Sequence, residues 1–137
     1  MNAPATAPSP RRLAYIVDDE PMLLDLNETV LRSLGFEVKR FRAAELAYEA
    51  YRLEHTPPDI IVTDYSMHRM SGADLIEACR KLHPHQKFLL ISGTVGVSAV
   101  KHATELPDHF MAKPYLMDEF ATVVKNLTEP DSTAAGR

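Results

Sequence analysis

Apolar positions along this chain switch between two periods. Leu13-Ala14-Tyr15-Ile16-Val17, Asp59-Ile60-Ile61-Val62-Thr63 and Lys87-Phe88-Leu89-Leu90-Ile91 are short apolar runs of the length that buried strands need. Phe36 to Phe41 is a more mixed strand, and His109 to Ala112 is a short fifth one. Between them the spacing turns helical. Pro21 opens a helix reading to Leu34, with Leu23, Leu26, Val30 and Leu34 on one face and Gly35 placed as a C-terminal glycine. Ala43 to about Glu54 is helical in pattern and is stopped by Thr56-Pro57-Pro58. Ser71-Gly72-Ala73-Asp74 opens a helix through Leu82, with Ser71 and Asp74 spaced as a capping box. A weak fourth helix is expected from Val97 to Glu105. Leu116, Phe120, Val123, Val124 and Leu127 mark a last amphipathic fifth helix. Strands alternating with helices predict an α/β fold: a doubly wound, five-stranded parallel sheet with right-handed crossovers and helices on both faces.

The expected organisation is a flexible tail over residues 1–11, one folded domain over 12–127 and a second flexible tail over 128–137. The Pro/Ala-rich start, MNAPATAPSPRR, lacks the apolar stretch of a secretory signal. With 137 residues there is no room for a fused DNA-binding or catalytic domain, so a stand-alone domain is expected. Composition narrows the class further. Fifteen basic against 19 acidic side chains give a net charge of −4, and no basic stripe suggests a nucleic-acid partner. No apolar run approaches a membrane span. Cys79 is the only cysteine, which rules out an internal disulfide and fits a reducing, cytoplasmic setting. The six histidines show no zinc-like spacing with it.

The candidate chemistry lies just beyond the end of each strand. Strand one runs into Asp18-Asp19-Glu20, strand three into Asp64, strand four into Ser92-Gly93-Thr94 and strand five into Lys113-Pro114. In an open α/β sheet, ligands bind at the carboxyl ends of the strands, so the fold gathers these segments at one edge. Crowded aspartates repel unless one is protonated or a cation joins them. An all-oxygen donor set suits a hard cation such as Mg²⁺. A lysine, a hydroxyl and such a cation around a carboxylate suit a transferring phosphoryl group, with the carboxylate itself as nucleophile. Each segment taken singly has an ordinary reading as a helix N-terminus, a loop start or a turn. The joint placement at four strand ends favours the site.

These segments resemble the receiver domain of two-component response regulators, a CheY-like, flavodoxin-like fold. The resemblance rests on Tyr15-Ile16-Val17-Asp18-Asp19-Glu20-Pro21, on Asp59-Ile60-Ile61-Val62-Thr63-Asp64 with Met67, Met70 and Gly72, on Leu89-Leu90-Ile91-Ser92-Gly93, and on Lys113-Pro114-Tyr115. It covers about Leu13 to Leu127. It implies strand order 2-1-3-4-5 and Asp64 as phosphoacceptor. Asp19 would be a direct Mg²⁺ ligand and Asp18 would act mostly through water, with Asp64 and the backbone carbonyl of Ser66 completing the protein's share. Ser92 would bond the phosphoryl oxygen, Lys113 would hold the carboxylate and then the phosphoryl group, and the Lys113–Pro114 peptide would be cis. Phe110 falls at a rotamer-switch aromatic. His68 departs from the usual proline, and Ser66 and Thr94 stand at positions that modulate dephosphorylation.

The resemblance further implies partners: a histidine kinase or histidine phosphotransfer protein as donor, and a downstream protein target at the region from the fourth to the fifth predicted helix. A homodimer stays open. The expectation is a phosphoacceptor, not a turnover enzyme. The rival readings are a receiver-fold interaction module that is never phosphorylated, a receiver fragment of a hybrid histidine kinase, and a Mg²⁺-dependent phosphatase. The adjacent Asp18-Asp19 lacks the Asp-x-Asp spacing of the last.

Overall fold

A computed structural model describes residues 12–93 and 105–129. The described elements are β1 (Leu13–Val17), α1 (Pro21–Ser33), β2 (Glu37–Phe41), α2 (Ala44–Leu53), β3 (Ile60–Asp64), α3 (Gly72–Leu82), β4 (Phe88–Ser92), β5 (His109–Ala112) and α4 (Met117–Thr128). They form a five-stranded sheet in the order β2-β1-β3-β4-β5, with every described pairing parallel. The predicted helix at 97–105 lies almost wholly outside the described residues, as do the two expected tails apart from Thr128 and Glu129. Thr128 itself ends α4, one residue past the predicted end.

Residues in β1, β3 and β4 are buried throughout, because parallel strands covered by helices have no wet face. Their side chains alternate between two cores. Ala14, Ile16, Ile60, Val62, Leu89 and Ile91 face Leu24 and Leu31 of α1 and Phe120 and Val124 of α4. On the other side, Leu13, Tyr15, Val17, Ile61 and Phe88 face Ala44, Ala47 and Tyr51 of α2 and Leu75, Ile76 and Cys79 of α3. Each large aliphatic side chain so buried contributes roughly 1.5–3 kcal/mol before chain entropy is set against it. The edge strand β2 carries exposed Lys39 and Arg40, charges that discourage pairing with another chain.

One face of α1 differs from the expectation. The stripe predicted from Leu23, Leu26, Val30 and Leu34 is rotated: the fully buried positions are Leu24, Asn27 and Leu31, and Leu26 is 44% exposed. Val30 and Leu34 still pack against that core from its margin. A polar residue stands in the buried stripe, and it hid the true face from an apolar-spacing argument. The predicted termini hold. Pro21 occupies the start of α1, and Gly35 ends it at φ 99°, in the left-handed region that favours glycine.

Two devices position the loops at the sheet's ends. The capping box of α3 is formed in full: Ser71 Oγ accepts from the Asp74 amide at 3.1 Å, and Asp74 Oδ2 accepts from the Ser71 amide at 3.0 Å. Arg80 of α3 reaches the approach to β5, donating to Asp108 Oδ2 at 2.9 Å and to Glu105 Oε1 at 3.3 Å. Asp108 Oδ2 also accepts from the Phe88 amide at 2.8 Å, so Arg80 fixes where β5 begins beside β4.

Gly72 shows how tightly α3 is seated under β3. A Cβ there would stand 2.6 Å from the Asp64 carbonyl oxygen and 2.6 Å from Leu90 Cδ1, and the former is backbone that cannot step aside. Gly72→Ala is therefore expected to lower stability by about 1–3 kcal/mol, an overpacking cost. Urea unfolding with an unchanged slope and a lower midpoint would register it, and an unchanged midpoint would contradict it.

Candidate functional site

Strand register brings the predicted polar residues to one edge. Val17 pairs with Thr63, so Asp18 and Asp64, each one residue further on, stand side by side at the sheet's edge, Asp64 as the last residue of β3. Asp64 pairs with Ile91, which places Ser92 one step beyond on the neighbouring strand. Ser92 in turn pairs with Ala112, and the Lys113 amide donates to the Ser92 carbonyl at 2.8 Å. Parallel pairing and the length of each apolar run thus do the gathering: the apolar runs end within a few rungs of one another, all at the same edge.

The side chains meet as well. Asp18, Asp19 and Asp64 each offer a carboxylate oxygen within 4.8 Å of the others. Asp18 and Asp64 are only 4% and 5% exposed, whereas Asp19 faces solvent. Lys113 Nζ sits 3.1 Å from Asp64 Oδ1 and 4.0 Å from Asp18 Oδ2. The other oxygen of Asp18 accepts from the Glu20 amide at 2.9 Å, so the chain's turn into α1 orients it. The Lys113–Pro114 peptide is cis, as expected.

Charge governs this arrangement. Burial pushes the Asp18 carboxyl up to about 6; the Glu20 amide and Lys113 oppose the rise and Asp64 adds to it. Asp64 is raised too, by burial first, with Lys113 opposing. Burial alone would lower the Lys113 ammonium, but Asp64 and Asp18 outweigh it and the net direction is upward. One ammonium facing three carboxylates leaves negative charge uncompensated. The open side at Asp19, the all-oxygen donors and the short separations fit a hard divalent cation, and these three aspartates can hold one. Among the described residues this is the only His, Cys, Asp and Glu group so placed. Cys79 is buried and its thiol is pushed up to about 12 by burial, the state of an inert core side chain.

The remaining predicted residues take different places. Ser92 is 2% exposed at the end of β4, at the site's edge. Ser66 is exposed in the loop after Asp64, and so is His68. The ends of that loop are tied by the Gly72 amide donating to the Tyr65 carbonyl at 2.9 Å. Phe110 is not part of the acid cluster. It pairs with Leu90 on β5, two residues before Ala112, and is half-buried. There it lines a cavity of about 570 Å³ with Met111 and with Asp118, Thr122 and Val123 of α4. Thr94 lies outside the described residues. Sequence reasoning gave no packing role to two further residues near the site. Gly72 packs on the backbone of Asp64, and Asn27 lies under Tyr115; a polar residue between Leu24 and Leu31 was the available signal.

A doubly wound parallel sheet with three acids, a lysine and a buried hydroxyl at its carboxyl edge defines a class, and known proteins agree on it. The model of the response regulator receiver domain family matches residues 14–125, and the chain belongs to that family. It is similar to the sensor kinase CckA of Brucella abortus, 29% identical over 91% of this chain and 13% of the kinase. It is also similar to the transcriptional regulatory protein KdpE of Mycobacterium tuberculosis, 28% identical over 90% of this chain and 54% of that protein. The chain thus spans about half or less of these relatives. Among solved structures, a receiver domain protein from Clostridium thermocellum superposes with a TM-score of 0.80 at 19% identity, over 90% of this chain and 98% of that one. The NtrX receiver domain from Brucella abortus gives 0.76 at 25% identity, over 86% and 99%. No helix among the described residues is long and apolar enough to cross a membrane.

The raised Asp18 carboxyl sets a pH dependence. The folded protein holds this proton up to about pH 6, the unfolded chain only to about 4. Its contribution is therefore complete at low pH and is lost as pH rises through that window. In metal-free protein, Asp18→Asn should raise stability above pH 7 by on the order of 1 kcal/mol and flatten the pH profile between 4 and 7. Melting curves in a chelating buffer measure both. A variant that melts lower than the parent at pH 8 would show that Asp18 carries no strain.

Proposed function

We propose that this receiver domain takes a phosphoryl group onto Asp64 from the phosphohistidine of a histidine kinase or phosphotransfer protein. One observation carries the reading: a nearly buried carboxylate, flanked by two more, stands 3.1 Å from the Lys113 ammonium at the ligand-binding edge of the sheet. In the transfer, an Asp64 oxygen forms the new bond to phosphorus. The phosphorus–nitrogen bond breaks, its electron pair leaves on the imidazole, and that nitrogen takes up a proton. Lys113 keeps Asp64 ionised beforehand and then neutralises phosphoryl charge.

Asp18, Asp19 and Asp64, with the backbone carbonyl of Ser66, would hold Mg²⁺. When bound, it supplies positive charge against which the phosphoryl oxygens and the acids can coexist. Ser92 would donate its hydroxyl to a phosphoryl oxygen. The exchange replaces a charge of −1 by a group of about −1.5 to −2. Ser92 and Lys113 move toward that charge, Phe110 on the strand that leads into Lys113 follows, and the surface around β5 and α4 changes its affinity for a downstream protein. The chain acts once per phosphoryl group received, as a phosphoacceptor and not as a turnover enzyme, in the cytoplasmic compartment where phosphohistidine donors work.

Incubation with acetyl phosphate and Mg²⁺ tests the assignment. Wild-type protein should take up about one phosphoryl group per chain, seen as a mass increase of roughly 80 Da that is labile to base. Asp64→Asn should take up none. A variant labelled as well as the parent would move the acceptor elsewhere, and a parent unresponsive to beryllofluoride and Mg²⁺ would favour a receiver-fold interaction module that is never phosphorylated.

A further inference from the structure

The buried stripe of α1 contains Asn27, 2% exposed between Leu24 and Leu31. An amide placed there is unfavourable unless it is hydrogen-bonded, and a leucine would fill the stripe without that requirement. Its partner lies 88 positions away: the Tyr115 hydroxyl donates to Asn27 Oδ1 at 3.2 Å. The Tyr115 ring already has packing of its own, 5.9 Å from the Phe120 ring and against the core under α1 and α4. The hydroxyl therefore adds little burial. What it adds is direction, fixing the ring to one point on α1.

That point is informative because of what lies at each end of the bond. Tyr115 is two residues after Lys113, whose amide is held by the Ser92 carbonyl at 2.8 Å. Asn27 sits in the helix that begins directly after Asp18, Asp19 and Glu20. The two halves of the site, the acid pair and the lysine loop, are thus joined outside the site by one hydrogen bond. Burial raises the Tyr115 hydroxyl, and Asp18 and Asp64 push the same way, so it remains a donor. Lys113 has a long flexible stem, and the position of its backbone decides how the ammonium reaches Asp64.

We propose that the Tyr115–Asn27 hydrogen bond is a positioning device for Lys113, clamping residues 113–115 onto α1 and thereby setting the rates at which Asp64 gains and loses its phosphoryl group. The proposal rests on Asp64 as acceptor. Tyr115 and Asn27 touch neither the acceptor nor the donor; they act through Lys113. If their role were packing alone, removing the hydroxyl would change stability and leave the rates where they were.

Three variants separate these roles: Tyr115→Phe, Asn27→Leu and the two combined. Labelling by acetyl phosphate, decay of the label, melting temperature, and hydrogen–deuterium exchange of residues 113–116 in metal-free protein are measured on each. Tyr115→Phe should slow labelling about three- to ten-fold, the range of one hydrogen bond's net effect, and should speed exchange across 113–116 without metal. The combined variant should recover the parent's melting temperature, because both polar partners are gone, yet keep the slow labelling and fast exchange. Labelling rates within two-fold of the parent in Tyr115→Phe overturn the clamp while leaving the acceptor reading intact. Rates that recover together with stability in the combined variant overturn it too. A parent that does not label at all, or an Asp64→Asn control that labels as well as the parent, overturns both readings.

Discussion

Three carboxylates packed at the end of a parallel sheet are a standing electrostatic debt, and the Lys113–Asp64 contact is what makes the edge tenable. Asp18 and Asp64 are nearly inaccessible, so neither can shed its charge into water, and burial pushes both carboxyls upward. Lys113, 3.1 Å from Asp64, opposes that drift for both. A buried pair of this kind is weak support for stability, since desolvation offsets most of the attraction. Its value lies in geometry: it orients the Asp64 carboxylate and opposes the rise that burial imposes on it. Stability is given up at this edge and supplied by the two apolar cores beneath it.

Sheet geometry converts that local problem into a site. Each crossover returns the chain to the start of a parallel strand, so every strand's polar tail emerges at the same edge. The rung Val17–Thr63 makes neighbours of Asp18 and Asp64, and the rung Ser92–Ala112 makes neighbours of Ser92 and Lys113. A slip of one residue in either pairing would turn these side chains to the wrong face. The devices that prevent such slips are remote from the chemistry. Arg80 pins the start of β5 through Asp108, Gly72 lets α3 approach the backbone of Asp64, and the Ser71 capping box fixes where α3 begins.

The range of each interaction decided whether it was legible in the sequence. β1 and β5 were found at their observed bounds because an apolar run bordered by polar residues is a local signal. The acids, Ser92 and Lys113 were legible for the same reason: each comes at or just beyond the end of an apolar run. The face of α1 was not, because Asn27 breaks the apolar stripe and its compensating partner is 88 positions away. The role of Gly72 was likewise invisible, since its neighbour is a carbonyl on another element. Phe110 was placed on the correct strand, yet spacing alone could not show that it faces a cavity under α4 and stands apart from the acids.

These constraints meet at the edge strand β5. It has a single described strand neighbour, β4, and is the least buried of the strands that carry the site. Its start is tied to α3 by Arg80 and Asp108, and its end to β4 and α1 by the Lys113 amide and the Tyr115 hydroxyl. Between these ties lies Phe110 beside its cavity. A pull on Lys113 reaches Phe110 through Met111 and Ala112, the two residues of β5 that lie between them. Under the phosphoacceptor reading, the added charge at Asp64 acts through Lys113 on β5, whose residues are mostly exposed or half-buried among the described residues. Under the same reading, these three anchors direct the response toward β5 and the face it shares with α4.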